Sequence, residues 1–117
     1  MQQPNLFEQN AENVESRTIV LYALGDFQSR GKILAERELA LDRLRGAFKR
    51  AVERFDAAEL SDEAIAENLA RLGARIVRVP NFVAKHPFRI TVTFELAEKA
   101  RQFYTKTMQS DAEARTK

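Results

Sequence analysis

The chain has no cysteine, only one histidine, and four glycines that stand singly among its 117 residues. Without cysteine there are no structural disulfides, no thiol catalysis and no thiolate metal sites. One histidine is too few for a histidine metal cluster, and isolated glycines do not form a glycine-rich phosphate loop. The three acids of residues 36–42 fit an exposed helix better than an active site. The sequence therefore predicts a non-enzymatic protein with no cofactor and no bound metal.

Long apolar runs are absent as well. No run approaches the roughly 18 apolar residues of a membrane-spanning helix. The first 17 residues have neither the basic nor the apolar region of a signal peptide. Together with the lack of cysteine, these absences predict a cytoplasmic protein with no membrane partner.

The composition, with 44% hydrophobic and 31% charged residues, is typical of a globular protein, and the length predicts one domain. Residues 1–16 are rich in Gln, Asn and Glu and are predicted to form a flexible N-terminal lead. Residues 17–108 are predicted to form a single α+β domain, and residues 109–117 a disordered tail.

Three segments have strand character. Residues 17–24 form an unbroken apolar run rich in β-branched side chains, closed by the pair Gly25-Asp26, which we interpret as a turn. A short strand is predicted over 74–79. In 88–95, apolar and polar residues alternate, so one face is predicted to be core and the other polar. The predicted core is Phe48, Phe55, Ile90, Val92 and Phe94.

Three segments have helical character. Apolar residues recur at three- and four-residue steps over 32–57. A second helix is predicted to begin after the N-cap Ser61 and to stop at Gly73. A closing helix is predicted over about 96–108.

The predicted order is β-α-α-β-β-α. A right-handed crossover leaves room for a third strand, so we place 88–95 in the centre of a three-stranded antiparallel sheet with helices on one face. This arrangement corresponds to half of a ferredoxin-like fold without its usual last strand. Within the run 17–24, residues 18–24 would then form an apolar edge strand. Since such an edge invites pairing with another chain, we expect a homodimer unless the protein's own chain covers the edge.

Positive charge is concentrated in one segment. Residues 71–106 contain eight basic and two acidic residues, a net charge of +6 in a chain whose total is +2. Within this segment the connection 79–89 is long for a hairpin and has a proline near each end. The single histidine, His86, lies in this connection. It is either an ordinary surface or turn residue, or it contacts a phosphate or carboxylate group of a partner. The predicted binding residues are Arg78, Phe82, Lys85, His86 and Arg89.

The outer face of the predicted sheet extends this basic surface. Arg89 and Thr91 should share that face, and Arg78 is expected to join them from the neighbouring strand. Tyr22 is the only obvious residue for stacking on a base. On helix 32–57 the helical period places four cations in one ridge: Lys32, Arg43, Arg50 and Arg54.

The expected function is that of a small interaction module that engages an acidic partner through its basic loop and sheet face. The alternative is a nucleic-acid-binding protein that uses the same residues. Steep salt dependence of binding would favour nucleic acid. Dependence on Phe82 would favour a protein partner.

Overall fold

The computed structural model describes residues 2–80 and 88–116, and it places side chains for residues 16–80 and 88–114. The described elements are four α-helices and three strands. The helices are α1 (Gln2–Ser29), α2 (Arg45–Arg54), α3 (Asp62–Arg71) and α4 (Phe94–Thr116); the strands are β1 (Glu38–Ala40), β2 (Arg75–Arg78) and β3 (Phe88–Thr91).

The protein is a small α+β domain with a three-stranded antiparallel sheet, as the sequence predicted. The sheet order is β1-β3-β2, so the strand that begins at Phe88 lies in the centre. Leu39, Phe88 and Ile90 are buried on the face that meets the helices. The order of elements is α-β-α-α-β-β-α and differs from the predicted order at its start.

The prediction of a strand over 17–24 is wrong, because these residues lie inside helix α1. Every residue from Ile19 to Leu24 is buried. Helix α1 packs against α2, α3 and α4, so this part of it is apolar on all sides and has no amphipathic period. An apolar run of this length does not by itself distinguish a buried strand from a buried helix.

The predicted helix over 32–57 is wrong in its first half. Strand β1 lies there and is followed by a 3₁₀ turn, Leu41–Leu44, before α2 begins. The backbone N–H of Glu36 donates to the carbonyl of Val92 at 2.7 Å, which joins this segment to the end of β3. Strand β1 therefore takes the edge position that the sequence assigned to 18–24.

Helix α3 and strand β2 match their predictions closely, because local signals define them. The Ser61 hydroxyl accepts a hydrogen bond from the N–H of Ala64 at 3.1 Å, which confirms the N-cap. Gly73 has φ of +105° just after the helix, a conformation that glycine adopts without steric cost.

Strand β3 ends earlier than predicted, and this change removes Phe94 from the core. The Thr93 hydroxyl accepts a hydrogen bond from the N–H of Leu96 at 3.1 Å and so acts as the N-cap of α4. Phe94, the first residue of that helix, is 62% exposed. Phe48, Ile90 and Val92 are buried as predicted, and Phe55 is half-buried against the core.

Helix α1 packs directly on α4 at Gly25, which lies within the helix and does not form the predicted turn. A Cβ atom at Gly25 would lie 2.3 Å from Cβ of Tyr104 and 2.6 Å from the carbonyl oxygen of Ala100. Only glycine allows the two helices to lie this close together.

The two ends of the chain contribute to these helices. Parts of the predicted lead, 1–16, and of the predicted tail, 109–117, fall within α1 and α4. The flexibility of both segments stays a prediction. Among the described residues, no helix is long and apolar enough to cross a membrane.

Candidate functional site

The outer sheet face is the side of the sheet that faces away from the helices. In the antiparallel register Arg75 pairs with Thr91, and Arg89 lies between Val77 and Ala40. Since Phe88 and Ile90 are buried, the residues that alternate with them point to the opposite side. The outer sheet face is formed by Glu38, Ala40, Arg75, Val77, Arg89 and Thr91.

Arg78 does not lie on this face, which corrects the prediction that it joins Arg89 and Thr91. It pairs with Phe88 on the other side of the sheet, and its guanidinium carbon lies 4.9 Å from the centroid of that ring. This is a cation–π contact. Arg75 takes the expected place beside Thr91, because a shift of one residue along a strand moves a side chain to the opposite face.

Three of the predicted binding residues, Phe82, Lys85 and His86, lie outside the described residues. Their part in binding stays a prediction. The segment that contains them joins β2 to β3, so Arg78 and Phe88 mark its two ends within the sheet.

A basic pocket lies beside the outer sheet face, where the connection from α1 reaches β1. Its volume is about 230 Å³. Four cations and one carboxylate, that of Glu38, line the pocket. Phe27 and Leu39, which are buried, also line it. The cations of the basic pocket are Lys32, Arg37, Arg43 and Arg89.

The charges in this pocket are poorly neutralised. The Arg89 Nε atom lies 3.9 Å from Oε2 of Glu38, and the Glu38 side chain is 55% exposed, so this ion pair is weak. Within the described part of the chain, no carboxylate lies within 4.0 Å of the charged nitrogens of Lys32, Arg37 or Arg43. The pocket therefore has a local excess of positive charge.

The predicted ridge of four cations is divided between two roles. Lys32 and Arg43 line the basic pocket. Arg50 instead donates to the buried carboxylate of Asp26, with Nε 2.8 Å from Oδ2. Arg54 forms an ion pair with Asp111 on α4. The prediction of one ridge was wrong because Lys32 and Arg43 do not belong to helix α2.

Tyr22 is not available to stack on a base. It is buried in α1, where its ring packs edge-on to Phe55 at 5.4 Å and tilted to Tyr104 at 4.9 Å. Burial raises the pKa of its hydroxyl above the ordinary value. The prediction of a base-stacking role is therefore wrong, for the same reason that the strand over 17–24 was wrong.

Helix α3 presents an acidic surface. Glu63 and Glu67 are exposed, and Arg71 forms an ion pair with Glu67 at 3.0 Å. With three carboxylates and one guanidinium, the helix has a net charge of −2. Positive charge on the outer sheet face and in the basic pocket thus contrasts with negative charge on α3.

The sequence did not reveal the basic pocket, because its cations are up to 57 positions apart along the chain. The pairing of β1 with β3 brings them together. Within residues 16–80 and 88–114, no cluster of three histidine or acidic side chains is arranged to hold a metal ion.

Comparisons with family models, with curated proteins and with solved structures found no match. The likeness to half of a ferredoxin-like fold therefore stays a prediction.

Proposed function

We propose that the protein is a non-enzymatic module that binds nucleic acid through the outer sheet face and the basic pocket. The observation that carries this proposal is the group of weakly paired cations that β1 and β3 bring together. Phosphates supply the main attraction in nucleic-acid binding, and they need cations that are not already neutralised by carboxylates. Among the residues whose side chains are described, no carboxylate lies within 4.0 Å of the charged nitrogens of Lys32, Arg37 and Arg43, so these three cations meet that requirement.

The order of elements supports the same class of partner. Helices α2 and α3 follow each other through a short connection, residues 55–61, and strands β2 and β3 come next. With β1 pairing on the other side of β3, we interpret this as a winged helix-turn-helix arrangement. Helix-turn-helix pairs and β-ribbons are common nucleic-acid-binding elements. A fold alone does not give a function, so the cations remain the main argument.

The charge of α3 limits how the nucleic acid would be bound. In a helix-turn-helix the second helix usually enters the major groove. Glu63 and Glu67 on α3 would face the phosphates at the groove edges, where like charges repel. We therefore propose that the outer sheet face and the basic pocket make the main contacts, with Arg75 and Arg89 at the centre.

An acidic protein is the second candidate partner. The observation that favours it is the presence of exposed apolar side chains beside the cations: Ile33 is 66% exposed and Val77 is 42% exposed. Apolar side chains at the centre of an interface often supply much of the binding energy between proteins. A protein partner would use these two residues, whereas phosphates would not.

The experiment is a fluorescence-anisotropy titration with a labelled duplex and its single strand. If about four phosphates are neutralised, the affinity should fall about 100-fold between about 50 and about 200 mM salt. The double variant Arg75→Gln/Arg89→Gln should weaken binding and reduce the salt dependence, because each lost cation removes about one released counterion.

The matched control is Lys99→Gln/Lys106→Gln on α4, since these exposed lysines line neither the outer sheet face nor the basic pocket. It should bind nearly as wild type does. Absence of binding at low salt would reject nucleic acid as the partner. A protein partner would then be tested by measuring whether Ile33→Ala and Val77→Ala weaken its binding.

A further inference from the structure

We infer that the basic pocket holds one phosphate group of the nucleic-acid backbone and so fixes the position of the strand on the protein. This inference rests on the proposed function and names the site of one contact. Phosphate contacts position a nucleic acid on its protein, whereas contacts to base edges carry the sequence information.

The arrangement of the cations suits a phosphate group. Arg37 lies in the connection before β1, Arg43 in the 3₁₀ turn after it, and Arg89 in the central strand. The three guanidinium groups therefore approach the pocket from three separate segments. A phosphate presents oxygens in several directions and accepts paired hydrogen bonds from the planar guanidinium fork. Lys32 adds a fourth positive charge.

The size of the pocket favours a small group. Its volume of about 230 Å³ is below the roughly 300–1,000 Å³ of most small-molecule sites, so a phosphate with part of its sugar is a suitable occupant. The lining of the pocket also includes Phe27 and Leu39, both of which are buried.

The position of Arg89 connects the pocket to the rest of the proposed surface. Arg89 lines the pocket and also belongs to the outer sheet face, with Val77 of β2 beside it. Arg75 lies farther along that face. A strand whose phosphate occupies the pocket would place neighbouring phosphates over the sheet.

The local excess of charge predicts a measurable effect of phosphate on the free protein. Like charges held close together destabilise the folded state, and an anion that binds only the folded state stabilises it. Inorganic phosphate should therefore raise the melting temperature more than chloride does at equal ionic strength. It should also shift the amide resonances of residues 32–43 and of Arg89 in NMR spectra.

The deciding variant is Lys32→Gln/Arg43→Gln, because both residues are exposed and neither supports the core. We expect it to lose the response to inorganic phosphate and to bind duplex DNA about 10-fold more weakly. The slope of log K against log[salt] should fall by about 1, because both cations act on one phosphate. The control is again Lys99→Gln/Lys106→Gln, which should keep both properties. Circular dichroism checks that each variant is folded.

The outcomes separate this inference from the proposed function. If wild type binds DNA and the double variant keeps the full affinity and salt slope, the pocket is not a backbone contact and the inference is overturned, while the proposed function stands. If inorganic phosphate shifts the pocket resonances but no nucleic acid binds at low salt, the proposed function fails and the pocket holds a free phosphate only. Loss of both responses in the double variant supports the inference.

Discussion

Gly25 shows at the scale of one residue how closely α1 and α4 pack. The substitution Gly25→Ala would place a methyl group 2.3 Å from Cβ of Tyr104, so the helices would have to separate. We expect the free energy of unfolding to fall by about 1–3 kcal/mol, as for other overpacked sites. Chemical denaturation measures this change.

Gly46 provides the matched control for Gly25. A Cβ atom there would have one neighbour, Nη1 of Arg50, at 3.4 Å. Gly46→Ala should therefore leave stability unchanged or raise it by up to about 1 kcal/mol, because alanine is the better helix former. Equal losses in the two variants would contradict the close packing of α1 on α4.

Asp26 is the second residue whose role depends on burial. Its side chain is 3% exposed and accepts hydrogen bonds from Arg50 of α2 and from Arg30. Asp26→Asn would remove the charge that holds these two guanidinium groups. Since both arginines are partly exposed, we expect a loss of about 1–3 kcal/mol and not the full cost of a buried unpaired charge.

The control for Asp26 is Glu67→Gln, which breaks an exposed ion pair with Arg71. Exposed pairs contribute little, so the loss should be below about 0.5 kcal/mol in the same denaturation experiment. If Asp26→Asn also stays below that value, the ion pair between α1 and α2 contributes nothing to stability.

At the scale of the elements, the boundary between β3 and α4 decides which side chains form the core. Phe94→Ala should cost less than about 1 kcal/mol because that side chain is exposed, whereas Ile90→Ala should cost about 2–5 kcal/mol. Urea denaturation of the two variants measures both changes. A larger loss for Phe94→Ala than for Ile90→Ala would place Phe94 in the core and contradict the N-cap at Thr93.

Local signals explain which elements could be predicted from the sequence. Ser61 and Gly73 mark the ends of α3, and alternation begins at Phe88, so α3 and the start of β3 were predicted correctly. Strand β1 has three residues and one buried side chain, Leu39. This is too short to show the alternation of apolar and polar residues that predicts a strand. The apolar run in α1 was ambiguous, because a fully buried helix has no polar face.

At the scale of the whole molecule, the paired strands create a charge pattern that no single segment of the sequence contains. The basic segment 71–106 contributes Arg75 and Arg89 to the outer sheet face. The basic pocket takes its other cations from residues 32–43, where the sequence showed no net charge of note. Contacts between distant segments therefore decide the site, which limited its prediction from the sequence.

The assignment of residues 17–24 to helix α1 changes the argument for a homodimer. The homodimer was predicted to cover an apolar edge strand over 18–24, and residues 19–24 are instead buried inside the chain. A homodimer stays a prediction, without that edge as its reason.

We propose that the outer sheet face, and not α3, contacts the nucleic acid. The most direct test compares duplex affinity between Arg75→Gln/Arg89→Gln and Glu63→Gln/Glu67→Gln at one low salt concentration. Removing two cations that contact phosphates should weaken binding about 10-fold or more, whereas neutralising the two glutamates should leave it unchanged or make it tighter. Weaker binding in the glutamate variant, with full affinity in the arginine variant, would show that α3 is the contact surface and would reject the outer sheet face.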